Sequence, residues 1–135
     1  MTPATENAPQ WSVDMFEAFW SNPDPALVPG ALTEDVVGHW PGRDAPVRGR
    51  EDYAGCIAAL VEALPGMRLT VEEHAQNDDV VFVRWTMHAT GQHGPFELTG
   101  IDRVRTREGL VAENVIVCDT AAFTARSGLA MPWAT

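Results

Sequence analysis

Asp102 is the residue in this sequence best suited to acid–base chemistry. It lies in the stretch 96–106, where the alternation of residue types predicts a β-strand whose successive side chains point to opposite faces. A carboxyl group turned into an apolar interior must find hydrogen-bond donors or stay protonated, because burial of an unpaired charge is costly. Apart from Asp102, the face in question is apolar and carries Phe96, Leu98, Gly100 and Val104.

Two further residues complete the predicted catalytic set. Asn114 lies across from Asp102 on the same face if the intervening turn is centred on Glu108. There it could hold the carboxyl group or polarise a substrate carbonyl. His39 ends an earlier strand, and a histidine titrates near neutral pH. If His39 and Asp102 both reach one substrate, they can deliver and remove a proton on opposite sides of it.

Purely structural roles are the alternatives for these residues. Asp102 could be satisfied by backbone groups or by Asn114, and His39 could simply end an edge strand. We interpret Tyr53 as a core residue of a helix, with its hydroxyl reaching the surface, and place it outside the catalytic set. The residues predicted to bind substrate are large apolar side chains that would form the walls of a small-molecule pocket: Phe16, Trp20, Trp40, Trp85, Met87, Leu98 and Ile116.

No metal or cofactor is expected from the motifs. The 4 histidines are scattered, with neither H-x-x-x-H nor H-x-H spacing. A glycine-rich phosphate loop and a G-x-S-x-G nucleophile elbow are also missing from the sequence. This is consistent with reactions that need proton transfer alone.

The composition indicates a folded globular protein. The 135 residues are 45% hydrophobic and 21% charged, and the net charge is −10. Nucleic acid and anionic membrane are therefore poor partners, because both would be repelled. No apolar run is long enough to span a membrane, and the first residues do not resemble a signal peptide. Cys56 and Cys118 are interpreted as reduced core residues of a cytoplasmic protein, and a disulfide between them is the alternative.

The periodicity predicts a single α+β domain over residues 1–135, with flexible tails at 1–8 and 125–135. Three helices come first, and four long, antiparallel-looking strands come last. The predicted helices are Pro9–Ser21, Asp24–Leu32 and Arg50–Leu64. The predicted strands are Val36–Trp40, Met67–Ala75, Val80–Thr90, Phe96–Thr106 and Leu110–Asp119, with a brief extended piece at Pro46–Gly49. We expect a strongly bent sheet that wraps around the helices.

Three segments carry a family resemblance: ALTEDVVGHWPG, PVRGRED and GIDRVRTREGLVAENVIVCD. With the order of elements, they resemble the SnoaL-like branch of the nuclear transport factor 2-like superfamily over residues 9–123. The resemblance implies a cone-shaped α+β barrel with a mixed or antiparallel sheet. Relatives of this architecture include ketosteroid isomerase, SnoaL-type polyketide cyclases, limonene epoxide hydrolase and scytalone dehydratase. Fold alone does not assign a reaction.

The resemblance also carries expectations for single residues. Asp102 falls on the buried aspartic acid of ketosteroid isomerase, and near the acid–base aspartate proposed for SnoaL-type cyclases. His39, or Trp40 in a register one residue later, is the nearest match to the isomerase's general base. Phe16 replaces its oxyanion-hole tyrosine, so two of three positions differ. Ile116 stands where limonene epoxide hydrolase has its second aspartate, which argues against that activity.

Two functions follow as hypotheses. The first is a cofactor-independent enzyme of the cyclase, isomerase or dehydratase type that acts on an apolar carbonyl or polyketide-like compound. The alternative is a non-catalytic ligand-binding or dimeric assembly module of the same fold. Under both hypotheses we expect a homodimer through the outer sheet face, which mixes apolar and charged residues: Phe82, Arg84, Thr86, Glu97, Thr99, Ile101 and Arg103.

Overall fold

The structure, a computed structural model, describes residues 10–133. Its helices are α1 (Val13–Ser21), α2 (Arg50–Ala63) and α3 (Thr120–Ser127). Its strands are β1 (Leu32–His39), β2 (Val47–Arg48), β3 (Arg68–Asn77), β4 (Val80–Gly91), β5 (Gly94–Arg107) and β6 (Leu110–Cys118). The predicted tail at 1–8 and the last two residues of the predicted tail at 125–135 lie outside the described residues.

The predicted second helix is absent. Two short 3₁₀ turns, Pro25–Leu27 and Pro29–Ala31, occupy that region, and β1 begins at Leu32, four residues before the predicted start. Prolines lack a backbone N–H and disfavour helical geometry in the residue before them, so closely spaced prolines prevent a continuous α-helix. Asp24 caps the first turn by accepting a hydrogen bond from the backbone N–H of Ala26.

The six strands form one mixed sheet in the order β2-β1-β6-β5-β4-β3. Strand β1 runs parallel to β6, and the other neighbouring pairs are antiparallel. The sheet has free edges at β2 and β3, so it does not close into a complete barrel. The α+β prediction is confirmed, with one sheet face covered by helices. We call the face that bears Asp102 the inner face and the opposite one the outer face.

The inner face is covered because two helices turn apolar sides towards it. Ser12 caps α1 through a hydrogen bond from the Met15 N–H, and the helix buries Phe16 and Trp20. Helix α2 buries Tyr53, Cys56, Ile57 and Leu60. The described helices include none that is long and apolar enough to cross a membrane.

The hairpin of β5 and β6 departs from the expected register. Its turn has two residues with positive φ, Glu108 and Gly109, so Arg107 pairs with Leu110. A bulge then leaves Ala112 without a partner, and Asp102 pairs with Ile116, while Asn114 pairs with Val104. Each of these changes moves the register by one residue. Together they return Asn114 to the inner face, diagonal to Asp102 rather than opposite it.

Residues 125–133, for which a flexible tail is expected, are helical or packed against the fold in the structure. Asp119 caps α3, Gly128 ends it in the left-handed conformation, and Phe123 is buried within it. Beyond α3, Met131 and Trp133 are also buried. The sequence reading missed this segment because its apolar residues follow no helical or strand period.

Candidate active site

A cavity of about 450 Å³ lies between the inner sheet face and helices α1 and α2. Its volume is in the range of small-molecule sites, which span roughly 300–1,000 Å³. The exposed residues of its wall, Met15, Ala18, Asn22 and Leu27, lie on α1 and near the first 3₁₀ turn, so the cavity opens there. All seven residues predicted to bind substrate lie in the wall: Phe16, Trp20, Trp40, Trp85, Met87, Leu98 and Ile116.

Asp102 is the acidic residue of this cavity and is 6% exposed. Its Oδ1 accepts a hydrogen bond from Trp85 Nε1 at 2.8 Å, and its Oδ2 accepts one from Asn114 Nδ2 at 2.9 Å. Burial raises the pKa of Asp102 from 3.8 to about 6, while the hydrogen bonds from Asn114 and Trp85 oppose that rise. The carboxyl group can therefore exist in both protonation states near neutral pH.

The contact between Trp85 and Asp102 depends on Gly100. Trp85 pairs with Gly100 across β4 and β5, and Asp102 lies two residues further along β5. A Cβ atom at position 100 would collide with the six-membered ring of Trp85. Because glycine leaves that space open, the indole lies over β5 and its N–H reaches the carboxyl group.

Tyr53 belongs to the site, contrary to the sequence interpretation. It is 4% exposed, lines the cavity, and its hydroxyl accepts a hydrogen bond from Asn114 Nδ2 at 2.9 Å. Burial, together with the nearby charge of Asp102, raises the pKa of Tyr53. Asn114 thus links the phenol and the carboxyl group. The sequence does contain a signal for this position, because Tyr53 shares the apolar side of its helix with Ile57 and Leu60.

His39 does not lie with Asp102, so the expected titrating pair is not formed. Its Nε2 is 3.1 Å from Glu113 Oε2, and both side chains are partly exposed. Arg103 also contacts Glu113, at 3.6 Å. Val36 and Trp40 share the inner face, so the two-residue strand period sends His39 to the outer face. Trp40, the alternative match, lines the cavity instead.

The segment after α3 supplies wall residues that the sequence reading missed. Trp133 lies 4.9 Å from Trp40 between ring centroids, and its Nε1 donates a hydrogen bond to the Pro41 carbonyl at 2.6 Å. Arg43 Nη1 donates to the Trp133 carbonyl at 3.2 Å. Met131 and Trp133 both line the cavity.

Cys118, at the end of β6, lines the cavity too, and burial together with the charge of Asp102 raises the pKa of its thiol to about 11.

The electrostatic character of the cavity is simple. Within residues 10–133, no arginine, lysine or histidine lines it, and Asp102 is its one acidic residue. Over the same range, no three His, Cys, Asp or Glu side chains gather as a metal-binding group. What the arrangement offers chemically is one proton-exchanging carboxyl group beside a phenol, inside apolar walls.

The sequence matches the family model of the SnoaL-like domain over residues 13–114, which includes Asp102, Trp85, Tyr53 and Asn114. The protein belongs to that family. Among curated proteins, none matches the sequence of the chain.

Several solved structures share the fold. A hypothetical protein from Catenulispora acidiphila DSM 44928, with a ketosteroid isomerase-like fold and in complex with trimethylamine, is 19% identical, with a TM-score of 0.75 and full coverage of both chains. IdmH from Streptomyces antibioticus, a candidate polyketide cyclase, is 25% identical, with a TM-score of 0.73 over 87% of this chain and 96% of its own. A candidate SnoaL-like polyketide cyclase from Jannaschia sp. CCS1 is 19% identical, with a TM-score of 0.74 over 87% and 89%.

Proposed function

We propose that the protein is an acid–base enzyme of the cyclase, isomerase or dehydratase type, acting on a small apolar carbonyl or polyketide-like compound. The observation that carries the proposal is the position of Asp102. It is a buried carboxyl group at an open, otherwise apolar cavity, with its pKa raised to about 6. Strongly perturbed carboxyl groups in clefts are typical of catalytic acids and bases.

Asp102 has the central role in this proposal. As a carboxylate it takes a proton from the carbon next to the substrate carbonyl. The carboxylic acid so formed exchanges its proton with solvent through the open cavity and returns a proton to the same carbon or to a different atom of the substrate. The proton balance is closed, so no co-reactant is needed. Trp85 and Asn114 hold the two carboxyl oxygens by hydrogen bonds, which fixes the carboxyl plane throughout the cycle.

Tyr53 is the proposed donor to the substrate oxygen. Its hydroxyl accepts a hydrogen bond from Asn114, which leaves its own proton free for the developing enolate. The Asn114 amide binds both Tyr53 and Asp102, so donor and base lie side by side. The candidate cyclase assignments of IdmH and the Jannaschia protein are in keeping with this class of reaction.

The test is exchange of substrate protons for deuterium, because it needs no knowledge of the final product. Polycyclic ketones and hydroxyquinones that raise the thermal midpoint are selected first, and NMR then follows exchange at the carbon next to the carbonyl. We expect Asp102→Asn to slow exchange by about 10²–10⁴-fold. Glu72→Gln, which removes an exposed acid outside the cavity, should leave the rate unchanged.

Two results would contradict the proposal. One is exchange at the buffer rate with every compound that binds. The other is an Asp102→Asn protein that exchanges as fast as the parent. A rate profile that inflects near pH 6 in the parent and is flat in the variant would support it.

We also propose a homodimer through the outer sheet face, as an assembly role that is compatible with catalysis. Ile101 is 40% exposed and pairs with Val117, which is 60% exposed, on the neighbouring strand. Phe82, 43% exposed, lies beside them on β4. Arg84 forms an ion pair with Glu73 at the edge of this patch. Apolar centres with charges of both signs around them suit a two-fold interface.

Light scattering after size exclusion tests the dimer. The parent should have twice the chain mass, and Ile101→Arg should have the mass of one chain, because a twofold contact would bring two charges together at an apolar centre. Ala121→Arg, a matched change on the exposed part of α3, should stay dimeric. A monomeric parent would refute the interface and leave the catalytic proposal untouched.

A further inference from the structure

All five tryptophans of the chain line the cavity that holds Asp102: Trp11, Trp20, Trp40, Trp85 and Trp133. The single tyrosine, Tyr53, lines it as well. The faces of indole and phenol rings carry partial negative charge and attract cations, with tryptophan the strongest of the three common aromatic residues. A wall with this many aromatic residues can offer ring faces to a cationic ligand.

The formal charge of the cavity is negative, like the partial charge on the faces of the aromatic rings. Asp102 accepts two hydrogen bonds from neutral donors, and it forms no ion pair with any residue that the structure describes. An ionised carboxylate has roughly four acceptor positions. Two of them are thus available when Asp102 is charged, and no positive side chain of the described wall can use them. The whole chain adds a net charge of −10.

We propose that the cavity binds hydrophobic organic cations, with an alkyl- or arylammonium group between the Asp102 carboxylate and the tryptophan rings. The ammonium group gains a counter-ion and several ring faces, while its apolar substituents fill the remaining volume. Anions of equal size meet like charge at Asp102 and have no donor with a positive charge. This inference concerns binding alone and does not depend on turnover.

Two probes of one shape and a smaller anion test it in the intact protein. Benzyltrimethylammonium is cationic, neopentylbenzene is its neutral isostere, and phenylacetate is a smaller anion. Binding is followed by tryptophan fluorescence, since every tryptophan lines the cavity, and is checked by calorimetry. We expect the cation to bind about tenfold or more tightly than its neutral isostere, and phenylacetate to bind weakest.

Asp102→Asn is expected to reduce the cation preference to about twofold, while affinity for neopentylbenzene stays close to the parent value. Glu72→Gln removes one acid outside the cavity and should keep the full preference. If Asp102→Asn fails to fold, the order of the affinities of the three probes for the parent protein still tests the inference. The inference would be overturned if the cation bound the parent protein no more tightly than its neutral isostere. It would also be overturned if Glu72→Gln reduced the cation preference as much as Asp102→Asn does.

The outcome is separable from that of the proposed enzyme. Cation binding without proton exchange would support the inference and count against catalysis. Proton exchange on ketones without cation selectivity would overturn the inference alone. If both occur, benzyltrimethylammonium should inhibit exchange competitively, because both ligands need Asp102.

Discussion

Asp102 owes its acid–base character to two opposing influences. Burial raises its pKa, and two hydrogen bonds to its carboxylate lower it again. Because the donors come from β4 and β6, on either side of β5, the carboxyl group is held from both sides. Each donor can be removed separately, so the two contributions can be measured.

Trp85→Phe should raise the pKa of Asp102 further. A hydrogen bond to a charged group contributes about 1.5–3 kcal/mol, and 1.36 kcal/mol corresponds to one pH unit, so the pKa should move from about 6 to about 7 or higher. Carbon-13 NMR titration of the aspartate carboxyl group measures this directly. Trp20→Phe, a cavity residue without a bond to Asp102, is the control and should titrate as the parent does. An unchanged titration in Trp85→Phe would be inconsistent with the bond.

Asp102 also makes stability depend on pH in a defined direction. Its folded-state pKa of about 6 is above its unfolded value of about 3.9, so the folded protein binds the proton more tightly. The free energy of unfolding should therefore fall as pH rises from about 4 to about 6, by on the order of 3 kcal/mol. Cys118 and Tyr53, whose pKa values are influenced by Asp102, are both raised and stay neutral in this range.

Urea unfolding of the parent and of Asp102→Asn at several pH values isolates this contribution. Asparagine cannot ionise, so the stability of the variant relative to the parent should increase across that interval. Asn114 Oδ1 has no partner in the described structure, and amide rotation would let it accept from the new side chain. If the difference in stability between the parent and Asp102→Asn stayed constant with pH, Asp102 would have the same pKa in the folded and unfolded states.

At the scale of elements, the pairing of β4 with β5 positions the site. At Gly100 on β5 an added Cβ would collide with the Trp85 ring, and it would also lie 2.9 Å from the Val117 carbonyl on β6. Strand β5 therefore keeps its pairing with both neighbouring strands at Gly100, while the missing side chain leaves room for the Trp85 indole. Register and residue size together create the contact with Asp102.

Gly100→Ala should displace the Trp85 indole. We expect a loss of about 1–3 kcal/mol from overpacking and a rise in the pKa of Asp102 similar to that in Trp85→Phe. Gly55→Ala is the matched control, because it adds the same atom in open space within α2 and should stabilise by about 0.5–1 kcal/mol. Adding Trp85→Phe to Gly100→Ala should change the pKa little further. Additive shifts would mean that the two residues act independently.

At the scale of the whole molecule, the chain after α3 completes the cavity. Trp133 packs on Trp40, bonds to Pro41 and is in turn held by Arg43. Residues almost a hundred positions apart in sequence therefore meet at one wall. The cavity depends on this long-range contact, because a shorter chain would leave Trp40 uncovered.

Trp133→Ala should reduce the free energy of unfolding by about 3–5 kcal/mol, as for other buried aromatic truncations. Trp133→Phe should cost about 1 kcal/mol, since it keeps most of the packing and loses the hydrogen bond to Pro41. Chemical denaturation measures both. Parent-like stability of Trp133→Ala would be incompatible with a docked C-terminal segment.

The sequence by itself determined which face of a strand each residue joins. The two-residue period placed Asp102 and Asn114 inside, and the aromatic spacing of α1 placed Phe16 and Trp20 against the sheet. For Asp102 the alternation within β5 was sufficient. Asn114 also depended on the register between β5 and β6, and it stayed inside because the turn at Glu108–Gly109 and the bulge at Ala112 each moved the pairing by one residue and together restored its face.

Tertiary structure alone decided which residues meet. It placed Tyr53 beside Asn114, brought Trp133 onto Trp40, and paired His39 with Glu113 away from the cavity. Such meetings depend on bulges, on the parallel pairing of β1 with β6, and on chain segments far apart in sequence. The physical reason is that periodicity fixes direction within one element, whereas the offset between elements is set by how all of them pack together.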